Sequence, residues 1–387
     1  MCALLCRAAH AQVAAAPEGT EPSVAADVQT HAGFETGTYA DSDHVFVVTP
    51  SLSGGAASPV AGWSVNGQYL VDVVSAASVD IVSTASQNWH EVRHAGSLDA
   101  SYKPGAFGIA IDGAASSEPD YVSWTAGGIV THDVSEQNAT LLLGFSHGHD
   151  VAGRSGTPFS VFSRPLDRES LKAGVTLVID RATIGSVLAD AVFEDGDPSK
   201  PYRYIPIFAP GTRVARGASI DAVNALRLSV RPLEQLPLSR QRYALTVRLA
   251  HRFASSTLRV DERVYTDSWA LKASSTDARY LVDAGKRWEL GPHVRLHAQT
   301  GVNFWQRAYT LQAGYDYPAL RTGDRELGPL FGLTLGGTIR FAIGPALDPT
   351  AWQLGLDINV TDTHYLDDLY LRQRWSALGS LSLEATL

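Results

Sequence analysis

The chain of 387 residues has only two cysteines, Cys2 and Cys6, both in a short apolar stretch that ends on Ala9-His10-Ala11. That small-x-small pattern predicts signal cleavage before Gln12. Residues 1–11 are read as a partial signal peptide, because the basic region and most of the apolar core of a signal are missing. Cleavage there leaves a chain without cysteine and therefore without disulfides. No run of about 18 apolar residues occurs, which excludes a transmembrane helix. There is no GxSxG elbow, Walker loop, dinucleotide fingerprint or zinc-spaced cysteine pair. No catalytic residue, cofactor or metal is therefore assigned. Positive charge is in the minority: the formal net charge is −9, which argues against nucleic acid as a partner.

What is present is alternation. From Arg242 to Phe253 the odd positions are Tyr, Leu, Val, Leu, His and Phe, whereas the even positions carry Arg242, Arg248 and Arg252. Side chains on a strand point alternately to opposite faces, so such a segment has one greasy face and one wet face. The pattern continues to about Asn359. A membrane β-barrel hides its lipid face in this alternation, which fits a mean hydropathy of −0.04. The counts of 34 Gly, 14 Tyr and 8 Trp suit tight turns and interfacial aromatics.

Strand-like segments follow one another from about residue 32, preceded by an aperiodic Ala/Glu/Pro/Thr-rich stretch at 12–31 that reads as a flexible periplasmic lead. The segments number about 16, with 14 as the fallback because the first pair is weak. The expected fold is all-β: a single up-and-down antiparallel transmembrane barrel over 32–387. Short connections at 103–105, 134–138, 180–183, 254–256 and 290–292 alternate with longer ones at about 76–90, 148–168, 194–239, 306–325 and 363–374. Turns at 41–43 and 273–275 are short exceptions on the long side. Short periplasmic turns and long extracellular loops mark outer-membrane barrels. Tyr102, Phe107, Phe253, Trp288, Phe341 and Trp352 share the apolar parity beside short turns, as an interfacial girdle would.

Several stretches resemble an uncharacterised bacterial outer-membrane barrel family catalogued as domain of unknown function 3570. They are Tyr69 to Ser86, Gly153 to Arg168, Ser199 to Phe208, Arg231 to Arg240 and the segment around Thr276 to Leu281. The resemblance implies a barrel in the outer membrane of a Gram-negative bacterium, with outer-membrane lipid and the assembly machinery as partners. It brings no activity and no functional residues. Barrels of that kind usually end on an aromatic residue, whereas this chain ends on Leu387.

The polar parity names a lumen wall. Pore-lining candidates are Arg242, Arg248, Arg252, Arg259, Asp261, Arg263, Asp267, Arg279, Asp283, Arg287, Arg295 and Asp357. Basic side chains gather on about four consecutive strands and acids dominate elsewhere, as in Asp72, Asp99, Asp112, Asp180, Asp190 and Glu326. Charged walls set ion selectivity in pores; the competing reading is a ladder of cross-strand ion pairs that fills the barrel. The proline-rich 194–239 loop is a plug candidate, with Tyr202, Arg203, Tyr204 and Phe208 as constriction residues and a short helix capped by Ser219 or Asp221. The competing reading is an external lid. His147 and His149 have the spacing of a metal pair on one strand face, but they continue the lipid-facing parity at the outer rim and read foremost as interfacial polar groups at a strand end. The expected role is a channel for ions or small polar solutes with a loop-narrowed lumen. The alternatives are a plugged barrel that binds a periplasmic or surface partner, and a rim-sited enzyme. The sequence leaves the oligomeric state open.

Overall fold

The structure is a computed structural model that describes residues 28–74, 91–312, 314, 316–344 and 352–386. The expected signal peptide, nearly all of the 12–31 lead, the loop at 76–90 and Leu387 lie outside the described residues. Eighteen strands occur among those described: β1 (Gln29–Asp41), β2 (Phe46–Ser58), β3 (Trp63–Val74), β4 (Glu91–Tyr102), β5 (Phe107–Glu118), β6 (Tyr121–Val134), β7 (Ala139–Ala152), β8 (Arg164–Val178), β9 (Thr183–Gly196), β10 (Ile207–Phe208), β11 (Ser239–Arg252), β12 (Ser256–Asp267), β13 (Lys272–Ala284), β14 (Trp288–Gln299), β15 (Tyr309–Thr310), β16 (Leu330–Ile343), β17 (Trp352–Tyr365) and β18 (Gln373–Thr386). Sixteen of them close into one antiparallel barrel, with β1 paired to β18. The two-residue strands β10 and β15 form a separate parallel pair. The expected strand count and up-and-down order are those observed.

Alternation is what closes the sheet and orients it. On β11, Tyr243, Leu245, Val247 and Leu249 are all exposed on the outer face, opposite Val260 and Val264 of the same face on β12. One ring of outward aromatics lies at the short-turn end: Tyr102, Phe107, Phe253, Trp288 and Trp352 are exposed there, and Phe341 packs on Trp288 at 4.5 Å. Phe46, Phe193, Tyr243, Phe331 and Trp375 form a second ring at the long-loop end. Tyr243 on β11 and Phe253, just past its end, are ten residues apart. At about 3.3 Å per residue and a tilt of about 40°, they bound a band about 25 Å tall, the height of a bilayer core. The fold is thus an outer-membrane-type β-barrel. Among the described residues no helix is long and apolar enough to cross a membrane.

Three sequence boundaries shift. The 290–292 segment is strand, because Leu290–Pro292 pair with Gly337–Ile339 of β16; the turn is at 285–287, where Gly285 takes φ +78°. Residues 273–275 likewise sit inside β13, and the turn falls at 268–271. The expected loop at 148–168 is shorter, since β7 and β8 stay paired out to Ala152 and Arg164. Only 153–163 leave the ladder.

Candidate functional site

Two long connections, 197–238 and 300–329, fold together into a lid at the long-loop end. Gly196 starts the first of them at φ +129°. A Cβ there would lie 2.2 Å from the Pro165 carbonyl oxygen, so only glycine makes this exit. The lid has its own core. Ile205, Ile207 and Tyr309 pack across the β10–β15 pair. Phe208, Val214 and Val223 pack with Leu369 from the β17–β18 connection. Leu236, Val302 and Leu327 pack on Trp269 and Leu271 from the β12–β13 turn. Helix α1 (Ile220–Leu226) carries Val223 into this core, and its N-cap is Ser219, whose Oγ accepts from the Ala222 N–H at 3.2 Å.

A polar knot fastens the two connections. Glu234 is 0% exposed. It accepts from the Lys200 N–H (3.0 Å), from Arg203 Nη1 (3.2 Å) and from Thr322 Oγ1 (2.6 Å). Arg203 also reaches Asp324 at 3.0 Å. Burial works against the Asp324 charge, but Arg203 and the Glu326 N–H hold its carboxyl down at about 2. The lid is tied to the rim on several sides. Tyr202 donates its hydroxyl to Asp120, at the β5–β6 turn, and accepts from the Ser155 N–H. Burial first, and then the Asp120 hydrogen bond, push the Tyr202 hydroxyl up to about 12, so it stays a donor. Arg325 pairs with Asp43 of the β1–β2 turn at 2.7 Å. Arg374 of β18 pairs with Glu326 at 3.2 Å, and both arginines lie 5.7 Å from the Tyr365 ring. Anchors at the β17–β18 connection, the β1–β2 turn and the β5–β6 turn face the Trp269 and Leu271 contact at the β12–β13 turn across the circuit, so the lid spans the mouth.

Beneath the lid the wall is charged, and its basic residues are mostly paired. Arg248 grips Asp261 with two bonds of 2.8 and 3.0 Å, and Arg259 shares that carboxylate at 2.9 Å. Arg242 meets Glu194 (3.2 Å), Arg263 meets Asp190 (3.0 Å) and Arg279 meets Asp277 (3.4 Å). Arg252 pairs with Asp283 near the short turns. His293 lies between Asp277 and Asn359, at 2.8 and 2.7 Å. The second bond crosses β16 because Gly336 intervenes; a Cβ there would sit 2.3 Å from Asn359 Oδ1. Arg295 is exposed and has no salt bridge among the described residues. Asp357 accepts from Thr338 Oγ1.

The circuit places β11–β14 opposite β2–β5. On that far wall Asp99 and Asp112 are register partners, both exposed. Asp99 accepts from Asn66 Nδ2 at 2.7 Å, and Asp72 pairs with Arg93. Arginine-rich and carboxylate-rich arcs therefore face each other across the lumen.

Six residues are placed differently from the expectation. Asp267 is buried and holds the β12–β13 turn, accepting from Arg240, Tyr265 and the N–H groups of Trp269 and Leu271. Arg287 lies in an exposed short-end turn. Phe208 is fully enclosed in the lid core and Arg203 is buried in the knot, so neither presents a surface to a solute. Tyr204 stays partly exposed and bridges to Leu233. Asp180 caps the 179–182 turn instead of facing the lumen, and Glu326 belongs to the lid.

Two features escaped the sequence reading. The 300–329 connection is half of the lid, and its Asp324 cap and Trp305 were the available signal. The other is Glu262, which breaks the run Leu258, Val260, Val264 on the outer face of β12. It is the register partner of Val247, midway between the two aromatic rings, and accepts from Ser274 Oγ at 2.6 Å and from Thr276 Oγ1.

Residues 167–345 match the family described as "Protein of unknown function (DUF3570)". That span runs from β8 through the lid to β16, a little under half of the chain, and the matching family is the one that its sequence resembles. No curated protein matches it. Among solved structures it is similar to a bacterial polysaccharide outer membrane secretin, at 10% identity and TM-score 0.44, over 93% of this chain and 98% of that one. It is similar to the CymD monoaromatic hydrocarbon channel at 9% identity and TM-score 0.43, over 92% and 88%. A third likeness is to the siderophore receptor PirA from Pseudomonas aeruginosa, at 10% identity and TM-score 0.40, covering 87% of this chain. This chain spans just over half of that receptor's length, 56%. At these values nothing about substrate passes from the three proteins to this one.

Proposed function

We propose that the chain is an outer-membrane channel that passes ions or small polar solutes, with its extracellular mouth narrowed by the lid. The observation that carries this reading is the exposure of Asp99 and Asp112 inside a closed sixteen-strand wall. Two register-paired carboxylates without a cationic partner are accommodated side by side only where water reaches them. A barrel of this strand number is too wide for side chains alone to fill, and opposed charged arcs give the lumen a transverse field. The outward band with its two aromatic rings supports residence in the outer membrane, with outer-membrane lipid and the assembly machinery as partners. No enzymatic step belongs to this reading.

The knot around Glu234 favours a second reading, a plugged barrel whose lid presents loops to a partner. Purified protein in planar bilayers separates the two. The channel reading expects discrete conductance steps from the intact chain and larger steps when 198–237 is replaced by a short Gly-Ser linker. Steps from the linker variant alone favour the plugged reading, and silence from both variants sinks the channel.

A further inference from the structure

On the outer face of β7, His147 and His149 follow Leu141, Leu143 and Phe145, all exposed to the outside. Their register partners on β8 are Glu169 and Asp167. His147 Nδ1 lies 2.6 Å from Glu169 Oε1, and His149 Nδ1 lies 2.7 Å from Asp167 Oδ1. An ionised carboxylate only accepts, so each pairing assigns the proton to Nδ1 and leaves the lone pair of a neutral ring on Nε2. Among the described residues neither Nε2 has a hydrogen-bond partner. Trp124 of β6 covers one side of both rings, with centroids at 5.2 and 6.3 Å. Glu169 Oε2 is shielded from solvent and has no hydrogen-bond partner.

Metal-binding imidazoles are prepared in this way: a carboxylate takes the Nδ1 proton, fixes the ring and makes Nε2 more basic. Two such rings on one strand face offer nitrogen donors, which suit a borderline divalent cation and not Mg²⁺ or Ca²⁺, which take oxygen ligands. We infer that this patch on the upper outer wall binds Zn²⁺ or Cu²⁺ through His147 and His149, with Glu169 and Asp167 orienting the rings. The site is independent of the lumen and of the channel reading.

The test uses the full chain in detergent micelles, titrated with Zn²⁺ by calorimetry and with Cu²⁺ by electron paramagnetic resonance. The wild type is expected to bind one equivalent whose Cu²⁺ spectrum shows two imidazole nitrogens. H147A/H149A is expected to lose that signal. E169Q and D167N keep an acceptor for Nδ1–H but lose its charge, and should each bind about tenfold more weakly or worse. The single variant H149A, read alongside, shows a one-nitrogen spectrum if the assignment holds. Isotherms and spectra unchanged in H147A/H149A overturn the site, as does a wild type that binds neither metal.

Discussion

At the residue scale the most exposed test of the fold is Glu262. A carboxylate midway up the lipid-facing wall is costly, and the Ser274 and Thr276 hydroxyls offset only part of that cost. Glu262→Val should raise the urea midpoint of the barrel in lipid vesicles by the equivalent of about 1 kcal/mol, the depth-dependent penalty of a mid-band acid. A lower midpoint would show that this face is covered by something other than lipid. Gly336 is the converse case. Its missing side chain lets His293 reach Asn359 across β16, so Gly336→Val should destabilise the barrel, read as a lower melting temperature on heated gels. Glu262 escaped the sequence reading although it stands there as the one charged member of the apolar parity of β12. Gly336 was not legible there, because its meaning depends on which three strands are neighbours, and that register is set by the closed ladder.

At the scale of elements the lid and the strands differ in how they were encoded. Strands announce themselves by period two, and the sixteen were countable. Their ends were less so: the 290–292 and 148–168 boundaries moved because Gly, Pro and His remain in a ladder when both neighbours hold them. The lid has no period. Its prolines and aromatics marked 194–239 as ordered, but its pairing with 300–329 rests on Glu234 meeting Thr322 across 88 residues, which no local pattern records. Removing one partner of a buried charged network costs about 3–5 kcal/mol. Glu234→Ala should therefore loosen the lid, seen as faster protease cutting within 197–238 while the barrel keeps its heat-modifiable mobility. Unchanged cutting would remove Glu234 from the latch. Acid should act on the same element. Asp324 sits near 2 when the lid is fastened and near about 3.9 when it is free. Its contribution is full above pH about 4 and is lost as pH falls toward 2. Lid cleavage by an acid protease should rise over that window, and Asp324→Asn should show the looser lid already at pH 7.

At the scale of the whole molecule, sign is distributed by arc. Asp99 and Asp112 face the β11–β14 wall, most of whose arginines are already paired. Charge changes should therefore matter most at the unpaired positions. Asp99→Asn with Asp112→Asn should move the reversal potential in a salt gradient toward anion preference, and Arg295→Gln should move it toward cations; Arg248→Gln should do less, because Asp261 keeps Arg259. Equal, sign-independent effects would mean that ions do not pass along these walls. The sequence had disclosed the lopsided list of charges but not its partners, since pairing is a property of adjacent strands. The latch, finally, has a consequence in time. Asp43 follows the first strand, Arg374 opens the last, and the lid residues Arg325 and Glu326 hold both at the seam where β1 meets β18. Those bonds have no geometry until the first and last strands have met. This seam fastening of the lid therefore takes its final geometry only once the cylinder has shut.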